Sequence, residues 1–284
     1  MTSGTVCLSF DFDAVSLWLA RGITAPGPLS RGEFAAVAVP RILDFLAARS
    51  LQVTWFIPGH TIETYPALCQ EIVAAGHEIG LHGYLHELSV PDPETERSIL
   101  DRTHRIVSDL QGTAPQGYRA PGGYLSEATI RYLLAFGIRY DSSLKGDDYH
   151  PYWLRSGDGI TADGPLSFGT PTSIVEVPNA PSLDDFWHFE FNREAQVQGL
   201  RPAADVLANW WADIRYLERG AAGGVVVLTL HPEVIGRGHR LLMLEDLVDR
   251  ARDDGLDFAT LAAVAARFRS RQQTGPASRS VRTP

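Results

Sequence analysis

Val6-Cys7-Leu8-Ser9-Phe10-Asp11, continued by Phe12-Asp13, is the stretch on which the fold is decided. An apolar run ending in carboxylates reads as a buried strand that carries polar chemistry at its C-terminal end. The pattern recurs along the chain. Apolar runs at 53–57, 78–81, 117–120, 138–142, 174–178 and 225–231, with a short one near Phe258, alternate with helical patterns. Such alternation predicts repeated β/α units around a mainly parallel sheet.

The boundaries of these units are written in capping chemistry. Ser30 three residues before Glu33 reads as a capping box, and Thr64-Tyr65-Pro66, Asp92-Pro93 and Ser126 each precede a periodic stretch. Gly76, Gly112 and Gly137 stand where helical patterns stop. Segments 15–29, 143–173 and 179–200 break the rhythm and are rich in Gly, Pro and aromatic residues, as expected of loops that build a substrate mouth. One domain over 1–270 follows, with 271–284 a polar, disordered tail.

Composition narrows the function. The 284 residues are 44% hydrophobic, enough for one sizeable core. A formal charge of -9 excludes a global basic surface, so no nucleic-acid partner is expected. Two cysteines, Cys7 and Cys69, suggest buried thiols rather than a disulfide framework. No apolar run reaches the ~18 residues of a membrane span, and Met-Thr-Ser-Gly-Thr leads straight into the first strand. A cytoplasmic protein without membrane association is the expectation.

Candidate chemistry gathers at strand ends. Asp11 and Asp13 share one face if the strand geometry persists, and two such carboxylates raise each other's pKa unless a cation compensates. His82 and His86, in Gly80-Leu81-His82-Gly83-Tyr84-Leu85-His86-Glu87, have the i, i+4 spacing that brings two imidazoles to one ion from a helical turn. Alone, such histidines also satisfy backbone carbonyls; with Asp13 they make a three-ligand set that leaves positions open for water and substrate. Nitrogen-rich ligation favours Zn2+, with Co2+ or Ni2+ next.

Further along, Arg119, in Tyr118-Arg119-Ala120-Pro121-Gly122-Gly123, is placed to pair with a catalytic carboxylate, while the following turn exposes backbone N–H groups. His231 ends an apolar strand, where it can protonate a leaving amine or simply donate to a carbonyl. Asp141 also ends a strand, and either orients such a histidine or starts a turn. His60 and His77 read as backbone partners, His104 as surface; Phe186-Trp187-His188-Phe189 is a candidate substrate contact.

Taken in order, SFDFD, HGYLH, RAPGG, YDSSL and LTLH, spread over residues 9–231, resemble the five motifs of the polysaccharide-deacetylase (NodB-homology, carbohydrate esterase family 4-like) family. The resemblance implies a distorted (β/α) barrel of about seven strands. It implies Asp11 as general base, Asp13, His82 and His86 as metal ligands, and His231 as general acid. Arg119 would position Asp11, Gly122 would offer its N–H to an oxyanion, and Asp141 would tune His231. In the family's first motif two Asp residues are adjacent, whereas Phe12 separates them here. This looks like the branch with intracellular peptidoglycan-deacetylase-like proteins, cyclic imidases and allantoinase-like amidohydrolases.

The expected activity is metal-dependent hydrolysis of a non-peptide C–N bond in an N-acetylated sugar or related small-molecule or carbohydrate amide. A cyclic imide or ureide is the alternative substrate, and an inactive carbohydrate-binding module the alternative of another class. The resemblance also suggests a homo-oligomer, a tetramer or dimer.

Overall fold

The computed structural model describes residues 4–89, 91–192, 197–221 and 223–274. Its strands are β1 (Thr5–Asp11), β2 (Thr54–Ile57), β3 (Glu78–Leu81), β4 (Gly117–Tyr118), β5 (Tyr140–Asp141), β6 (Tyr152–Ser156), β7 (Thr170–Glu176), β8 (Phe191–Asn192), β9 (Val197–Gln198), β10 (Val225–Leu230) and β11 (Asp257–Phe258). Nine of them form one sheet in the order β10-β1-β2-β3-β4-β5-β7-β6, with β11 joining β1, while β8 and β9 pair separately. All pairs in the large sheet are parallel except β6 with β7. The result is an open, distorted (β/α) barrel. The seven strands expected from the alternation form its parallel wall, together with the short one near Phe258. β6 is the addition; it lies in the 143–173 segment, where β-bulged, half-exposed pairing gives no clean apolar run.

Side-chain parity divides the barrel into inside and outside. Cys7, Phe56, Val225 and Val227 pack with Leu261 and Val264 of the last helix, Leu261–Thr274, whereas Val6, Leu8, Phe10, Val226 and Leu228 belong to the larger core under the surrounding helices. Because strand side chains alternate, Ser9, Asp11, Thr229 and His231 must continue the inner row. The last helix therefore fills the N-terminal end of the lumen and leaves the C-terminal end for chemistry. It is held there by Leu261 N–H donating to Thr54 Oγ1 at 2.9 Å and Ala262 N–H donating to Glu78 Oε2 at 3.2 Å. This helix runs to Thr274, four residues into the stretch expected as a tail; 275–284 lie outside the described residues.

On the outer face, Phe10 stacks on Trp55 with ring centroids 4.6 Å apart, both fully buried, each worth about 2–3 kcal/mol of apolar burial. Asp92 caps helix Pro93–Gln111, and Ser126 forms a capping box at helix Glu127–Ala135, as read from sequence. Ser30 does not. Pro26 starts a helix that runs to Glu33, so Ser30 lies inside it and donates to the Gly27 carbonyl. Cys7 and Cys69 are buried free thiols, both pushed up to about 12 by burial.

Candidate active site

The parallel register brings the strand ends into one row. Phe10 faces Leu230, Asp11 faces Phe56, Phe56 faces Gly80, and Leu81 faces Tyr118. Asp11, His82, Arg119 and His231 consequently meet at the C-terminal rim of the lumen, with Asp13 just beyond β1. Asp13 is fully buried, and neither of its carboxylate oxygens has a hydrogen-bond partner. Its Oδ1 lies 3.4 Å from His82 Nε2 and its Oδ2 3.4 Å from His86 Nε2. An uncompensated buried carboxylate is costly, so these unpaired atoms fit a shared cation. His82 Nδ1 lies 2.7 Å from the Arg119 carbonyl, which fixes the tautomer by making Nδ1 the donor and leaves the Nε2 lone pair facing Asp13.

Electrostatics favours neutral imidazoles here. Burial lowers the pKa of His82 against the pull of Asp11 and Asp13, and burial together with the nearby Arg21 lowers His86 to about 3. Burial raises the Asp13 carboxyl, an effect only partly offset by His82 and His231.

The HGYLH segment is not the helical turn expected from its spacing. It is a loop in which Gly83 has φ 64° and His86 φ 60°, and a Cβ on Gly83 would lie 2.3 Å from the Glu87 carboxylate. The Glu87 carboxylate accepts from Tyr84 N–H at 3.1 Å and Leu85 N–H at 2.9 Å, folding the segment back on itself. Gly59 and His60 N–H groups donate to the Gly83 and Tyr84 carbonyls. Glu87 and His60 thus brace the loop from outside the pocket, and the left-handed His86 directs its ring back toward Asp13.

Arg119 is 3% exposed and makes four hydrogen bonds. Nη1 donates to Asp11 Oδ1 at 2.7 Å and Ser9 Oγ at 2.9 Å, Nε to the Ser142 carbonyl, and Nη2 to Ser142 Oγ. Burial alone would raise the Asp11 carboxyl, but Arg119, His82 and His231 outweigh it and hold it below the ordinary range. The two aspartates therefore behave oppositely, where sequence suggested mutual elevation; Arg119 makes the difference.

His231 has a partner that sequence reading missed. Its Nδ1 donates to Asp185 Oδ1 at 2.8 Å, its backbone N–H lies 3.1 Å from both Asp185 oxygens, and its Nε2 lies 3.7 Å from Asp13 Oδ2. Burial would lower the imidazole, yet Asp185, Asp184 and Asp13 raise it well above the ordinary value. The stretch around Asp184 makes this possible by docking on the barrel rim, where Asp184 bridges in parallel to Thr229. The adjacent acids Asp184-Asp185 beside Phe186-Trp187 were the available signal. Of the stretch read as a candidate substrate contact, Phe186 and Trp187 line the pocket, Phe189 is buried in the core, and His188 contacts the Ser182 carbonyl.

Asp141 does not touch His231. Tyr140 points into the lumen with Phe56, so its neighbour Asp141 points outward, and four strands separate β5 from β10. Asp141 instead accepts from Ser143 Oγ at 2.7 Å and Ser143 N–H at 3.2 Å, starting the turn that was its other reading. Beside it, Glu176 Oε1 accepts from Ser143 and Leu144 N–H. Burial raises both carboxyls, Glu176 well above its ordinary value with the Asp141 charge adding to it, so this pair holds a proton in the folded protein.

The folded state consequently binds more protons than the unfolded chain. Stability contributed by the pair is complete below the ordinary carboxylate range and is lost as pH rises through the elevated Glu176 value, at up to ~1.4 kcal/mol per pH unit. Glu176→Gln, which keeps the acceptor oxygen and supplies a permanent donor, should flatten the fall in melting temperature as pH rises above the ordinary carboxylate range. An unchanged slope would place the proton elsewhere.

The pocket above these groups has a volume of about 240 Å³, and each irregular segment contributes to its wall: Leu17 and Arg21 from the first, Ser143 and Lys145 from the second, Asp184 and Trp187 from the third. Gly122, with φ 61°, also lines it. The remaining histidines lie apart. His77 Nδ1 accepts from Val53 N–H, and His104, expected at the surface, is half-buried and stacks on Phe136.

Comparison with known proteins places this geometry among relatives. The polysaccharide deacetylase family profile matches residues 26–140. A peptidoglycan deacetylase from Helicobacter pylori is 34% identical over 94% of this chain and 96% of its own length. A peptidoglycan deacetylase-like protein from Gibberella zeae is 33% identical over 93% of this chain and 86% of its own. A solved Mycobacterium smegmatis structure assigned to the polysaccharide deacetylases superposes with a TM-score of 0.83 at 32% identity, covering 100% of this chain and 95% of that one. An allantoinase structure shares the fold at a TM-score of 0.76 and 23% identity, covering 98% and 93%. Among the described residues no helix is long and apolar enough to cross a membrane.

Proposed function

The chain belongs to the polysaccharide deacetylase family, and from that premise we propose that it is a metal-dependent hydrolase that removes an acyl group from an N-acylated sugar or related amide. The observation that carries this reading is Asp13: a fully buried carboxylate with both oxygens unpartnered, each 3.4 Å from an imidazole Nε2. One ligand atom from each of Asp13, His82 and His86 lies within 4.8 Å of the other two. A divalent cation held by these three, zinc by the preference of a nitrogen-rich set, would lower the pKa of water toward neutrality and polarise the acyl carbonyl.

The remaining steps belong to the chain's own side chains. Asp11, kept ionised by Arg119, accepts the proton of the attacking water. Gly122, in the pocket wall, would offer its N–H to the developing oxyanion. His231, kept protonated by Asp185, gives its proton to the departing nitrogen. Asp141 shapes the turn beneath Ser143 and takes no proton-transfer role.

A pocket of about 240 Å³ is smaller than the ~300–1,000 Å³ usual for small-molecule sites, which favours a single ring over a long polymer and supports a cyclic imide or ureide as second reading. Acetate release from N-acetylglucosamine oligomers and ring opening of cyclic imides, assayed after chelation and after adding back zinc, cobalt or nickel, test both. At least a ~100-fold loss on chelation and recovery with one metal is expected. Full turnover by metal-free protein would overturn the reading.

A further inference from the structure

Besides His231, which Asp185 matches, three cationic side chains line the pocket, and only one of them is ion-paired. Arg119 is paired with Asp11 at 2.7 Å. Arg21, just after the short helix Ser16–Leu19, donates Nη1 to the Leu17 carbonyl at 2.8 Å. Lys145, on the loop after β5, donates Nζ to the Ser143 carbonyl at 2.6 Å. Neither forms an ion pair among the described residues, although both line the same cavity as the reacting groups. Arg21 is half-buried and Lys145 sits at the more exposed rim.

The acids of the pocket are committed elsewhere. Asp11 answers Arg119, Asp13 lies between two imidazoles, and Asp185 holds His231. Asp184 lies 3.8 Å from His231 Nδ1, and its side chain caps the helix Asp185–Phe189. Burial raises its carboxyl to about 7, so it carries only part of a charge near neutral pH. A guanidinium has five N–H donors and an ammonium three, and each uses one on a carbonyl, leaving donors for a guest that supplies acceptors and negative charge.

We propose that this chain selects N-acyl substrates that carry an anionic group, a carboxylate or a phosphate, outside the scissile amide, with Arg21 and Lys145 as the groups that recognise it. The inference deepens the hydrolytic reading and rests on it for the identity of the amide, while the anion preference itself is a property of binding. It also separates this pocket from a neutral sugar site, which needs hydroxyl partners and no surplus cations.

The test uses one ring in three forms: N-acetylglucosamine, its 6-phosphate, and its 3-O-lactyl ether, which adds a carboxylate. Turnover is followed with the zinc-loaded protein, and binding by calorimetry with zinc-loaded Asp11→Asn protein. At least one anionic form should exceed the neutral one by ~10–100-fold in affinity and in kcat/KM, and the stronger of the two identifies phosphate or carboxylate. In Arg21→Met/Lys145→Met the ratio should collapse toward one through Kd and KM, whereas Arg21→Lys/Lys145→Arg should restore it.

A wild-type ratio near one, or a ratio unmoved in the double methionine variant with an unaltered melting temperature, overturns the proposal. An equal fall in kcat for neutral and anionic forms would assign the two cations to the reaction centre and also overturn it. Preferential binding without hydrolysis of any amide would instead sink the hydrolytic reading and leave the anion site standing.

Discussion

Asp13→Asn is expected to abolish stoichiometric zinc retention and to lower kcat/KM by at least ~10³-fold, equivalent to about 4 kcal/mol of transition-state stabilisation. The amide keeps the volume of the carboxylate, so the lumen does not collapse, but it replaces an anionic ligand by a neutral one between His82 and His86. Metal-free protein should respond in the opposite direction. There the buried Asp13 carboxyl, raised by desolvation, is a burden, so the chelated variant should melt no lower than the chelated wild type. Metal content, activity and melting temperature on the same preparations decide the matter, and a variant that retains zinc and turns over normally would remove Asp13 from the ligand set.

His231→Ala should cost about 10²–10⁴-fold in kcat, the range of a general acid positioned at a leaving group. Asp185→Asn is the sharper probe, because it leaves the imidazole in place and removes the carboxylate that Nδ1 touches at 2.8 Å. Burial alone depresses His231; Asp185 is the first influence that raises it. Without that charge the folded pKa falls, the protonated fraction shrinks as pH rises, and the alkaline limb of the kcat profile should shift to lower pH. A profile identical to wild type would make Asp185 a packing residue only.

The legibility of this chain follows the range of the interactions involved. The parallel strands were readable because burial on both faces leaves continuous apolar runs such as Val225–Leu230, and period-two alternation then fixed which strand-end residues look inward. Asp11, Arg119 and His231 share a row for that reason alone. The misassigned member, Asp141, failed on the same rule: one position of parity turned its side chain to the outer face. Asp185 was not legible as a partner, since its approach to His231 depends on a loop returning across 46 residues to the rim. HGYLH gave the right convergence through the wrong local geometry, because two left-handed backbone positions can aim two imidazoles as well as a helical turn can.

The position of β1 between β10 and β2 has a further consequence for biosynthesis. During synthesis β1 gains one edge from β2, some 45 residues later, but its β10 neighbour lies 219 residues away, as the contact between Ser9 and the Leu228 carbonyl records. A nascent chain can gather Asp13, His82 and His86 while translation continues, yet His231 follows them only on the much later β10. Assembly of the pocket is thereby ordered in time, with the Asp13, His82 and His86 cluster able to form before His231 and Asp185 close it.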